Sequence, residues 1–234
     1  MSARYAVYFA PEKLSPWWVF GAHWLGRDEC DNSALLQPRL DGISPEELKR
    51  LTAQPTRYGF HATLKAPFRL ADGCDEATLS SRLHTLAKTL APVLLGPLRV
   101  ASLSDFVALV PQGLATGLPE LAAHCVRDLD DLRAPLSKDD LLRRQSNKLD
   151  EREAELLALY GYPHVMERFS LHLTLTGPTD APTSQRIERV AAPLVAHLNA
   201  VAPLTLDRMC LFVEATPGAP FLRIADVVLQ GVRK

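Results

Sequence analysis

Cysteine is scarce and scattered. The 234-residue chain has four (Cys30, Cys74, Cys125, Cys210), lying 44, 51 and 85 residues apart. With no C-x-x-C pair, a zinc ribbon or a dithiol redox centre is excluded, and single thiols used as small apolar side chains fit a reducing compartment. Long apolar runs are missing too. Stretches such as Trp17–Phe20 and Leu90–Leu95 fall far short of the ~20 residues that a helical membrane span needs. The opening MSARYAVYFAPEK has no apolar core behind a basic start, so no secretion signal and a cytoplasmic location are expected. Charge of one sign is also absent: 26 Lys and Arg against 27 Asp and Glu leave a net −1. A protein that grips long nucleic acid through its phosphates needs a positive surplus, so RNA is the less favoured partner. There is no G-x-G-x-x-G, no P-loop, no G-x-S-x-G and no H-E-x-x-H. Nothing in the sequence calls for a metal or a cofactor.

What is present is ordinary globular composition, 47% apolar and 23% charged. Aromatic and β-branched residues predict strands over 4–10 and 60–68. Leu79, Leu83, Leu86 and Leu90 recur at helical spacing over 75–90, and a second such stripe runs over 118–132. Residues 11–56 read as an irregular, proline-containing stretch with a Trp-rich patch and a short helix over 44–51. Residues 97–111 read as one bent strand or two short ones. A long helix is expected over 138–160, a strand over 168–176, a helix over 183–198 with an awkward Pro193, and strands over 203–217 and 221–232. Two series match: HATL, a helix and PLRVASLSDFVALVP, then HLTL, a helix and PLTLDRMCLFVEATP. Such a duplication predicts a single α+β domain of two lobes, about 1–133 and 164–234, joined by the 138–160 helix. The two lobes would be related by a pseudo-twofold, with two antiparallel-rich sheets facing a central cleft and helices outside.

The chemistry sits in the paired motifs His61-Ala62-Thr63-Leu64 and His172-Leu173-Thr174-Leu175. Side chains alternate faces along a strand, so His61, Thr63 and Lys65 are expected on one face, and Ser170, His172, Thr174 and Thr176 on another. Residues i and i+2 lie about 6.5–7 Å apart, close enough for imidazole and hydroxyl to meet one phosphate. One neutral and one protonated imidazole can remove and supply protons near neutral pH, while hydroxyls bind the oxygens on which charge builds.

These motifs resemble those of the 2H phosphoesterase superfamily, which is named for two His-x-Ser/Thr motifs. The wider strings RYGFHATLKAPF and FSLHLTLTG, with YFAP, WLGRD, LRAPL and GYPHV, resemble a branch often encoded beside phosphonate-degradation genes. The resemblance implies a metal-independent phosphodiesterase that hydrolyses a small cyclic phosphodiester, a 2′,3′- or 1,2-cyclic phosphate of a nucleotide or sugar. RNA-end processing and a non-catalytic module for a phosphorylated ligand are the alternatives. It also implies His61 and His172 as the acid/base pair and Thr63 and Thr174 as phosphate binders. Tyr58 and Lys65, and more remotely Arg27, Arg133 and Tyr162, would be substrate contacts.

Overall fold

The computed structural model describes residues 3–138, 140–141 and 149–232. It is an α+β fold with several antiparallel sheets, as the sequence pattern predicts. Among the described residues no helix is long and apolar enough to cross a membrane.

β1 (Arg4–Phe9) and β2 (Ala62–Phe68) pair antiparallel, and β1 pairs on its other side with β8 (Arg208–Glu214), which carries β9 (Leu222–Val228) at the edge. The second sheet has three strands, β4 (Leu98–Leu103), β5 (Phe106–Pro111) and the very short β6 (Leu173–Thr174). Residues 97–111 are thus two strands turning at Ser104, whose φ of 54° is left-handed. The two halves exchange hairpins. β2 leads into α3 (Glu76–Ala87), which packs on β8 and β9, while β6 leads into α6 (Ala181–Val201), which packs on β4 and β5. The hairpin that follows each helix joins the sheet of the other half. Where the two connections cross, β3 (Val93–Leu94) pairs with β7 (Thr205–Leu206).

β1 is apolar on both faces because both are covered. Val7 and Phe9 point into the main core, and Ala6, Tyr8 and Ala10 join Cys210, Phe212 and Phe221 in a smaller cluster on the opposite face. That second cluster forms an aromatic floor.

Residues 11–56 are more ordered than their composition suggests. α1 (Pro16–Leu25) starts at Ser15, whose hydroxyl accepts the Trp18 N–H, and ends at Gly26 with φ 75°. α2 (Pro45–Thr56) is capped the same way by Ser44 and runs past the expected residue 51. Trp17 and Trp24 are buried. Their indole N–H groups donate to Ala202 O at 2.6 Å and Leu175 O at 2.9 Å, which ties α1 to the far half of the chain. The stripe over 118–132 divides into α4 (Leu118–Arg127) and a single 3-10 turn. Of the helix expected over 138–160, residues 139 and 142–148 lie outside the described residues. α5 (Glu151–Tyr160) is a separate helix, begun by a capping box between extended Asp150 and Glu153. The strand expected over 168–176 contracts to Leu173–Thr174, because a 3-10 turn occupies Met166–Arg168 and both Leu175 N and Thr176 N turn to one carbonyl, Val107 O.

Candidate functional site

Both histidines stand one residue before a strand, on matching local frameworks. His61 Nδ1 lies 2.9 Å from Gly59 O, and His172 Nδ1 lies 3.0 Å from Ser170 O. A carbonyl can only accept, so Nδ1 carries the proton in each ring and Nε2 presents its lone pair. Thr63 Oγ1 lies 3.4 Å from His61 Nε2, a long contact in which the hydroxyl donates.

Gly59 explains why His61 sits as it does. Its φ is +78°, and a Cβ there would come within 2.7 Å of Glu29 Cβ. The bend turns the chain under Arg57 and Tyr58 and delivers the carbonyl to His61. Arg27 holds the same bend from below, its guanidinium donating to Thr56 O at 2.7 Å, Arg57 O at 3.1 Å and Phe221 O at 3.0 Å.

His61 lies on the aromatic floor. Its ring stacks on Tyr8 with centroids 3.8 Å apart and planes 24° apart, and Tyr58 is 6.3 Å away. Burial pushes its pKa down to about 4, outweighing the pull of the Gly59 carbonyl, and His172 lowers it further. Burial also lowers His172. Both rings are therefore neutral at pH 7 in the free protein. Burial pushes the Tyr8 phenol well up, so it stays protonated.

His61 and Tyr8 border a cavity of about 610 Å³ between the two sheets. His61, Thr63 and Tyr8 reach it from the four-stranded sheet, and Thr174 and Phe106 from the three-stranded one. His172 is not in the lining itself. Its ring lies 5.7 Å from that of Phe106, which is. Tyr58 and Tyr162 also border the cavity, as do Arg4 and Arg57, which sequence reasoning missed.

Three of the expected contacts lie elsewhere. Lys65 is 3% exposed, and its ammonium donates to Val126 O at 2.9 Å and Asp130 Oδ1 at 3.0 Å. The cause is a β-bulge: Tyr8 pairs with Thr63 but Val7 pairs with Lys65, so Leu64 is the extra residue and Lys65 turns to the core face. Arg27 is 6% exposed and fully engaged beneath the Tyr58 bend. Arg133 is bound to Asp130 at 2.9 and 3.0 Å and borders a small neighbouring pocket instead.

A family described as protein of unknown function DUF1045 matches residues 63–222, a span that holds the whole His172 motif and begins at Thr63, two residues after His61. The chain belongs to that family. Among curated proteins it is 38% identical over 231 residues to a ribose 1,5-bisphosphate phosphokinase PhnN of Janthinobacterium sp. (strain Marseille), covering 97% of this chain and 51% of that protein. It is 39% identical over 218 residues to a protein of the same name from Laribacter hongkongensis (strain HLHK9), covering 93% of this chain and 50% of that one. The chain thus spans about half the length of the curated relatives it matches. Their name fits the expected association with phosphonate metabolism and a phosphorylated small molecule. It overturns the expected activity: a phosphokinase transfers a phosphoryl group, so the reading as a hydrolase opening a cyclic phosphodiester is corrected by these relatives.

Proposed function

We propose that the chain holds a small phosphorylated ribose in the cleft between its two sheets, as the substrate-holding part of a phosphoryl-transfer system. The observation that carries the reading is the matched pair of motifs, each a histidine locked by a carbonyl two residues earlier and a threonine two residues later, with both threonines on one cavity. The relatives' name supplies the ligand class. In this reading the motifs are those of the 2H superfamily, put to use as a phosphate cradle.

The chemistry follows from the protonation states. A neutral imidazole offers Nε2 as an acceptor for a proton from a hydroxyl or a singly protonated phosphate, which leaves a better nucleophile toward a phosphoryl donor. A phosphate dianion nearby raises the imidazole pKa, so the ring holds that proton and then hydrogen-bonds the anion as a cation. Thr63 and Thr174 donate hydroxyls to the remaining oxygens. The sequence contains no P-loop. A nucleotide cradle of that type would have to come from the half of the relatives that this chain does not match.

Calorimetric titration tests the reading with ribose 5-phosphate, ribose 1,5-bisphosphate and ATP as separate ligands. The phosphorylated riboses bind, His61→Ala weakens them at least about tenfold, the loss of one charge-assisted hydrogen bond, and ATP does not bind. No binding of any phosphorylated ribose to the wild-type chain would remove the proposal.

A further inference from the structure

The cavity far exceeds one phosphate, and its chemistry is uneven. One end carries His61 and the two threonines, with His172 behind Phe106. The other carries two guanidiniums on a shared carboxylate. Arg4 and Glu214 are direct partners across β1 and β8, so their side chains share a face. Arg4 Nε and Arg57 Nη2 both donate to Glu214, which is 1% exposed on its side chain and also accepts Gly218 N at 3.0 Å. Burial alone would raise the Glu214 carboxyl; Arg4, Arg57 and the Gly218 N–H outweigh it and hold it ionised. Arg57 Nε is used by Ala219 O at 3.2 Å. Among the described residues, nothing takes the two terminal nitrogens of Arg4 or Nη1 of Arg57.

We infer that this end is a second phosphate subsite, formed by Arg4 and Arg57 and pinned by Glu214, so that the ligand of the cleft carries two phosphate groups. The inference rests on the reading above, in which the histidine end takes a phosphorylated ribose. Two positive charges against one buried carboxylate leave a local surplus for an anion. Of the nearby carboxylates, Asp140 is held by Arg69, and Asp105 belongs to the opposite wall beside Phe106. Planar guanidiniums fixed along one edge and open along the other are suited to bidentate phosphate recognition. Tyr58 and Phe221 link the two ends. Tyr58 lies 6.3 Å from the His61 ring and 5.3 Å beneath the Arg57 guanidinium, and it stacks at 5.2 Å on Phe221, over which Arg4 sits at 5.7 Å. The aromatic floor therefore runs unbroken from one phosphate end to the other.

Calorimetry on the wild-type chain with ribose 1,5-bisphosphate, ribose 1-phosphate and ribose 5-phosphate separates the possibilities. The bisphosphate binds at least about tenfold tighter than either monophosphate, the worth of a charge-assisted pair. In Arg57→Gln that ratio collapses to within about twofold of unity, and Arg57→Lys, which keeps a charge beside Glu214, retains part of it. Monophosphates that bind as tightly as the bisphosphate to the wild type would overturn the second subsite and leave the histidine end standing, as would a ratio that survives in both Arg57→Gln and Arg4→Gln. Failure of all three ligands to bind would overturn the subsite and the reading beneath it together.

Discussion

His61 is the residue on which the site turns, and its setting has a thermodynamic consequence. Its folded pKa of about 4 lies below the unfolded 6.5 because burial on Tyr8 disfavours the charged ring. Between those values the unfolded chain binds more protons, so stability falls as pH drops from 6.5 toward 4 and is fully present above that window. Urea unfolding at pH 7 and pH 4.5 measures this. His61→Gln loses less stability on acidification than the wild type, and an equal loss in both would show that His61 titrates normally. Lys65 shows where residue-level reading stops. Alternation along a perfect strand puts it beside His61 and Thr63, but the extra Leu64 reverses its face. A bulge is a property of the β1–β2 pairing, and no residue in RYGFHATLKAPF announces it.

Elements with strong local signals were legible. Asp75 caps α3 where the leucine stripe begins. α1 is hard to read from sequence although Ser15, Pro16 and Gly26 bracket it, because a helix with Trp17, Trp18, Ala22 and Trp24 all buried has too little polar face to show a period. Over 138–160, a start at Ser137 and a stop at Gly161 suggest one long helix, but Asp150 is extended and caps a fresh start for α5, while residues 139 and 142–148 lie outside the described residues. β6 shrank to two residues because Val107 O draws two amides to one acceptor, a long-range event that local propensity cannot encode. The bend at Gly59 is the element-level feature that matters most to function. Gly59→Ala forces a side chain into left-handed backbone and against Glu29, and costs about 1–3 kcal/mol. Thermal unfolding reads the loss, and a variant as stable as the wild type would show that the bend is not constrained.

At the scale of the molecule, the exchange of hairpins between halves makes each sheet depend on both. The order of helices and strands carries the α+β class, and the two His-x-Thr-Leu strings mark where similar stretches begin. The crossing was not visible, because the strings 97–111 and 203–217 look alike yet one folds as the β4–β5 hairpin and the other as β7 and β8. With β3 paired to β7 at the crossing, and Trp24 of the first half bonded to Leu175 of the second, neither half has a complete core alone. Tryptophan fluorescence and far-ultraviolet circular dichroism are expected to report one coincident unfolding transition. Separate midpoints would mean that the halves fold independently.

The proposed function requires two imidazoles to answer to one anion. NMR of the His61 and His172 ring resonances, followed through pH titrations with and without ribose 1,5-bisphosphate, tests that directly. In the free protein both titrate below 6.5, His61 near 4. With the ligand bound, both pKa values rise together at the same saturating concentration, because a phosphate dianion favours each charged ring. A ligand that shifts one ring and leaves the other untouched, or leaves both at their free values, would contradict the shared site.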